Sequence, residues 1–180
     1  MNRRRPMFVL DTNAYIEVHR RYYSLDLCPG FWECLLPYCG ESQVRSIDRV
    51  RNEIVSDSNQ TEDGISNPDL LSDWVRQATT DLFVSSAEPT VTATYVDMSL
   101  WVQTNQQFQP QAKENFAREA DGWVAAYAKV NNRIVVTQEM FSANVKRRVP
   151  LPNVCHQFGV KYCNTFEMLR ELEVRFYWIR

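Results

Sequence analysis

The sequence predicts an α/β domain, and three observations carry that expectation. Phe8-Val9-Leu10 is an apolar run that stops at Asp11-Thr12-Asn13, the pattern of a buried strand turning into a helix. Arg133-Ile134-Val135-Val136-Thr137 repeats the pattern and ends on Thr137-Gln138-Glu139. Between the two strands, apolar residues recur at helical spacing, so strands alternate with helices.

Within the first unit, Ala14-Tyr15-Ile16-Glu17 resumes with helical character, which places the strand-to-helix turn on residues 11–13. Thr12 and Asn13 are residue types that cap helices. Capping does not call for an acid before them. A carboxylate carried to the end of a buried strand faces partial burial, which is costly unless a donor, a cation or a metal stands nearby. In open α/β sheets that edge is where ligands bind.

Further along, Pro29-Gly30 punctuates the chain before a short buried helix over Phe31 to Leu36, closed by Gly40. Gln43 to Ser46 reads as a second strand, with Ser46 placed to cap a helix that starts at Ile47. Ile47, Val50 and Ile54 form its apolar stripe, and Glu53 lies about 60° from Val50, at the edge of the buried face. Ser56 to Pro68 is polar and rich in turn formers, a mobile loop. Asp69 to Ala78 is expected as a helix, Asp81 to Val84 as a third strand, and Glu88 to about Gln103 as a longer helix striped by Val91, Tyr95, Met98 and Val102. After a Gln-rich connection broken by Pro110, a helix from Lys113 carries Phe116, Ala120, Trp123 and Tyr127 on one stripe, with Asp121 beside it.

Composition narrows the functional classes. At 180 residues the chain is expected to be one domain, 1–180, burying roughly 70% of its unfolded surface. Its net charge of -2 does not advertise nucleic-acid binding, although Arg3-Arg4-Arg5, Arg20-Arg21 and Lys146-Arg147-Arg148 offer local positive tracks. The five cysteines are odd in number and lack CxxC spacing, which argues against a disulfide framework and a zinc ribbon and points to a reducing, cytoplasmic setting. Cys155-His156 with Cys163 supplies three soft ligands but no fourth. Only four apolar residues separate the basic start from Asp11, too few for a signal peptide or membrane span.

Asp11, Glu53, Asp121 and Glu139 then form a constellation. Carboxylates at close range repel one another unless a divalent cation neutralises them, and hard oxygen ligands select Mg²⁺ or Mn²⁺. No other catalytic equipment competes. The two histidines, His19 and His156, sit in no Ser/His or Cys/His pattern, and no Gly-rich phosphate loop is present among five glycines.

These residues resemble the four signatures of PIN domains, in order: Phe8-Val9-Leu10-Asp11-Thr12-Asn13, Glu53, Ala120-Asp121 before a small-residue helix, and Ile134-Val135-Val136-Thr137-Gln138-Glu139. With Cys28-Pro29-Gly30-Phe31-Trp32, Val149-Pro150-Leu151-Pro152-Asn153-Val154-Cys155 and Phe166-Glu167-Met168-Leu169-Arg170, the chain is similar to a PIN-like subfamily of bacterial and archaeal proteins. The resemblance implies a three-layer α/β/α fold around a mainly parallel sheet of about five strands, the fifth near Gly159 to Cys163. It implies a metal-dependent ribonuclease acting on RNA, of the kind found as VapC-like toxins of type II toxin–antitoxin pairs, with an antitoxin partner and a possible homodimer. Asp11, Glu53 and Asp121 would bind Mg²⁺ or Mn²⁺, Thr12 and Asn13 would orient Asp11, and Thr137 would support the site. Where PIN domains often carry Asp in a Thr-x-Asp context, this chain has Glu139, one methylene longer, which weakens its case as a direct ligand. Two other readings stand beside this one. A Mg²⁺-dependent phosphatase of the haloacid dehalogenase type also begins with a strand ending in Asp, but has a second Asp where this chain has Asn13. A catalytically inactive interaction module would use Phe31-Trp32 or Phe176-Tyr177-Trp178 as its surface.

Overall fold

A computed structural model describes residues 5–57, 70–78 and 81–177. Among them, a five-stranded sheet runs in the order β3-β2-β1-β4-β5, every pairing parallel. β1 (Phe8–Leu10) is followed by α1 (Thr12–Arg21) and α2 (Pro29–Gly40). β2 (Val44–Ile47), α3 (Asp48–Asp57), α4 (Leu70–Gln77) and β3 (Phe83–Val84) build outward on one side of β1. After α5 (Pro89–Thr104), α6 (Pro110–Arg118) and α7 (Asp121–Val130), the chain returns to the other side of β1 as β4 (Ile134–Val136). α8 (Leu151–Phe158), β5 (Tyr162–Cys163) and α9 (Thr165–Glu171) complete it. The strand order therefore reverses between β1 and β4, and in an open parallel sheet that crevice is where ligands settle.

The register Phe8↔Ile134, Val9↔Val135, Leu10↔Val136 brings the carboxyl ends of β1 and β4 level. Val9, Val135 and Val136 are wholly buried, as a strand covered on both faces requires. α7 supplies part of that cover through Val124, Ala125, Ala126 and Ala128, whose short side chains let the helix lie close to β1 and β4. Gly122 serves α7's contacts with α5 and α6 instead: a Cβ there would stand 2.9 Å from Tyr95 Cε2 and 2.9 Å from Phe116 Cζ. With helices flanking the sheet, the arrangement matches a PIN-like three-layer α/β/α fold.

Several expectations need correction. Ile47 belongs to β2 rather than to the helix start, and Ser46, in the strand as expected, does not cap that helix: its hydroxyl donates to the Leu10 carbonyl at 2.8 Å, clamping β2 to β1. The helix expected from Lys113 through Tyr127 is two helices. α6 begins earlier, at Pro110, and ends in extended backbone at Glu119, after which α7 sets off anew at Asp121. Neither α8 nor α9 is anticipated by periodicity. Phe31 and Trp32 are 3% and 1% exposed, Trp32 stacked on Tyr15 and edge-on to Trp74 and Phe31 stacked on Tyr23, so they are core and not an interaction surface. Phe176 and Tyr177 are exposed, and Trp178 lies outside the described residues. The expected loop Ser56 to Pro68 also lies outside them from residue 58 onward, while Ser56 is still in α3. Among the described residues, no helix is long and apolar enough to cross a membrane.

Candidate functional site

Asp11 is the pivot. Its backbone N–H donates to Val136 O at 3.1 Å, a β1–β4 bond that fixes it at the reversal crevice. Its side chain, rather than Thr12 or Asn13, is the N-cap of α1, with Oδ1 accepting from the Ala14 N–H at 2.6 Å. The residue is 0% exposed and Oδ2 has no hydrogen-bond partner. Desolvation pushes its carboxyl up to about 7, with smaller upward contributions from the charges of Glu139 and Glu53. Thr137, 1% exposed at the end of β4, lies close enough to favour the charged form without making a hydrogen bond of ordinary geometry to Oδ2. A buried carboxylate oxygen with nothing to bond is an expensive arrangement on its own.

The other acids gather round it from different elements. Asp121, the first residue of α7, keeps some solvent contact. The protein packed about its carboxylate nevertheless raises its pKa well above the usual range, chiefly by desolvation and then through Asp11, Glu139, Glu119 and Glu53. Glu53, half-buried on α3, ties two elements together. Its Oε2 accepts a short hydrogen bond from the Thr12 hydroxyl and its Oε1 one of 2.6 Å from the Ala120 N–H, immediately before α7. Thr12 thus braces Glu53, not Asp11. Asn13 lines the same cleft.

Glu139 is held differently. One oxygen accepts from Arg148 at 3.1 Å, the other from the Leu151 N–H at 2.8 Å at the start of α8, and its own N–H donates to the Thr137 hydroxyl at 3.1 Å. The Lys146-Arg147-Arg148 track therefore reaches the cleft through Arg148. The cleft has a volume of about 440 Å³ and is lined in part by Glu53, Glu119, Asp121, Glu139 and Arg148. Glu119 is an acid the motif reading misses. It sits exposed at the rim, its pKa raised by desolvation and by Glu53 and Glu139. In a continuous helix Glu119 would face about 160° away from Asp121, and only the break between α6 and α7 puts both on one cleft.

The orphaned Asp11 Oδ2 and the mutual repulsion of these carboxylates are what a hard divalent cation relieves, so the donor set suits Mg²⁺ or Mn²⁺ in chemistry. Among the described residues no three His, Cys, Asp or Glu side chains stand in ligating arrangement, because Glu53 and Glu139 are turned onto protein donors. Holding an ion would require those side chains to turn. Cys155, buried, His156, exposed, and Cys163, half-buried, form no metal group either.

A family model described as a domain of unknown function, DUF4411, matches residues 8–176. No curated protein matches the chain. Among solved structures, the crystal structure of FitAcB from Neisseria gonorrhoeae is similar, at 20% identity and a TM-score of 0.54, over 89% of this chain and 99% of that one. A likeness at that identity bears on the fold alone, and it supports the PIN-like arrangement.

Proposed function

We propose that this chain, which belongs to the DUF4411 family, is a metal-dependent endoribonuclease that hydrolyses phosphodiester bonds and serves as the toxin of a type II toxin–antitoxin pair. The observation that carries the reading is the orphaned Asp11 Oδ2 at the strand-order reversal, ringed by Asp121, Glu53 and Glu139. The PIN-like fold supports it, and so does the order in which these acids fall in the sequence, which resembles that of the PIN signatures.

Asp11 and Asp121 are the principal candidates to hold Mg²⁺ or Mn²⁺, with Glu53 joining when it turns from Ala120. When bound, such a cation supplies an activated water and neutralises charge on the leaving oxygen. The chain's own residues do the positioning. Thr137 steadies the turn that carries Glu139, through its bond to the Glu139 N–H. Glu139 anchors the start of α8 and holds Arg148 at the cleft mouth, where a phosphate would meet a cation. Thr12 keeps Glu53 from swinging into solvent. Asn13, on the wall of the cleft, offers a neutral donor and acceptor where the phosphatase reading requires a second acid. The toxin role and the antitoxin partner rest on the resemblance to VapC-like PIN domains.

The test is cleavage of a mixed transfer and ribosomal RNA pool by purified protein with Mg²⁺, with Mn²⁺ and with EDTA, alongside Asp121→Asn. Metal-dependent cleavage lost in the folded variant is the expected result. Cleavage that survives in Asp121→Asn, or that persists in EDTA, overturns the reading.

A further inference from the structure

A second cavity, of about 280 Å³, adjoins the acid cleft and shares Glu53 and Glu119 with it. Arg49 and Trp123 line it, and Tyr95 backs Trp123 to complete a stack of three side chains. The Trp123 indole lies on Tyr95 with ring centroids 3.9 Å apart and planes 14° from parallel. The Arg49 guanidinium lies 3.8 Å from the Trp123 centroid. Two groups that close to one ring occupy its opposite faces, so Trp123 is sandwiched. The stack depends on Gly122, since any Cβ there would strike Tyr95 Cε2 at 2.9 Å.

Such a sandwich does something specific to Arg49. An exposed arginine normally samples many rotamers, whereas one laid on an indole face has its plane fixed in advance and loses less freedom when it binds. Arg49 is exposed, and no carboxylate forms an ion pair with it among the described residues. Its N–H edge is therefore available for two parallel bonds to a phosphate. The need for such a cation is plain from the neighbouring cleft. Four clustered acids repel a polyanion, and a fixed positive group beside them offsets that repulsion. Arg118, which pairs with Glu114 at 3.8 Å, and Asn52 also line the cavity and add a second, partly neutralised cation and a neutral hydrogen-bonding group.

We propose that Arg49, laid on the Trp123–Tyr95 stack, binds a phosphate of single-stranded RNA next to the scissile one, making the second cavity the strand-docking subsite of the acid cleft. This inference rests on the nuclease reading. A cavity of about 280 Å³ has room for a phosphate and part of one nucleotide, and a single strand is the form that can lay that much of its length into the cavity beside the acid cleft.

The experiment is fluorescence anisotropy with a labelled single-stranded RNA of about a dozen nucleotides, in EDTA so that nothing is cleaved, over roughly 50 to 200 mM salt. Wild type, Arg49→Ala and Arg49→Lys are compared, with melting curves as the folding control. Arg49→Ala is expected to bind about tenfold more weakly and to lower the salt slope by about one. Arg49→Lys, which keeps the charge but not the planar stack, falls between. In the cleavage assay the same Arg49→Ala change raises KM and leaves kcat within about twofold. Unchanged affinity or an unchanged salt slope in folded Arg49→Ala overturns the subsite, even where wild type cleaves RNA through Asp121. Binding that depends on Arg49 in a protein that never cleaves would keep the subsite and overturn the nuclease. A wild type that neither binds nor cleaves the probe overturns both.

Discussion

β1 and β4 lie side by side, run parallel, and each delivers an acid past its carboxyl end, yet the two acids live in opposite circumstances. Asp11 is sealed from solvent with one oxygen capping α1 and the other bonded to nothing. Glu139, its side chain 14% exposed, has both oxygens taken, by Arg148 and by the first N–H of α8. Equal placement at a sheet edge therefore does not make equal roles. An acid whose bonding capacity is unmet is poised to take a ligand. One whose capacity is filled by a helix terminus and an arginine is a fastening, and any ligand has to compete with those partners.

That contrast breaks most readily on activity. Asp11→Asn keeps an oxygen for the α1 cap but removes the charge, and is expected to lower metal-dependent cleavage by about a thousandfold or more, given what positioning and neutralising a reacting phosphate contribute. Glu139→Gln is expected to keep cleavage within about a hundredfold of wild type, because its principal contacts are structural. Steady-state rates on one RNA substrate decide it. Equal losses in the two variants would place Glu139 among the groups that hold the metal and dissolve the distinction.

Stability offers the next largest effect, and its sign is unusual for an acid. In the folded chain the Asp11 carboxyl is raised to about 7 from an ordinary 3.8, so between those values the folded state holds a proton that the unfolded state has lost. Stability in EDTA is fully present below the lower value, falls as pH rises through the interval, and stays diminished above about 7, with a penalty on the order of a few kcal/mol. Asp121, raised in the same direction, adds to the decline. Chemical denaturation in EDTA across that range should show the fall in wild type and a shallower one in Asp11→Asn. Added Mg²⁺ should restore more stability at high pH than at low pH. A flat profile would mean that Asp11 is not the strained group its burial implies.

What could be read from the chain alone follows the physical range of each signal. The two buried strands and the acids that end them were legible because an apolar run, its turn and its terminal residue are local. Glu53 was legible as a helix-edge acid, but its partners Thr12 and Ala120 lie 41 and 67 residues away, beyond any periodicity. The break between α6 and α7 was hidden because Phe116, Ala120, Trp123 and Tyr127 keep helical spacing across it, and Glu119 was missed with it. No apolar periodicity marks α8, which Pro150 caps and in whose first turn Pro152 sits, where a missing N–H costs nothing. Phe31-Trp32 could have been surface or core on local pattern. The pairing of Trp32 with Tyr15 and Trp74 decides for core.

The smallest effect separates the two fastenings of Glu139. Arg148 is 60% exposed, so its ion pair is screened by solvent and should contribute under about 1 kcal/mol. The bond from the Leu151 N–H is part-buried and falls at a helix N-terminus, where a carboxylate also meets the favourable end of the backbone dipole. Arg148→Ala leaves that backbone bond in place and should lower stability by less than about 1 kcal/mol, an effect that fades with added salt. Glu139→Gln weakens both contacts at once and should cost about 1 to 2 kcal/mol, largely independent of salt. Urea denaturation of the two variants at low and high salt tests this. If Arg148→Ala costs as much as Glu139→Gln, the arginine holds Glu139 and the helix terminus does not, and Glu139 then becomes a side chain that a single surface charge could release toward Asp11.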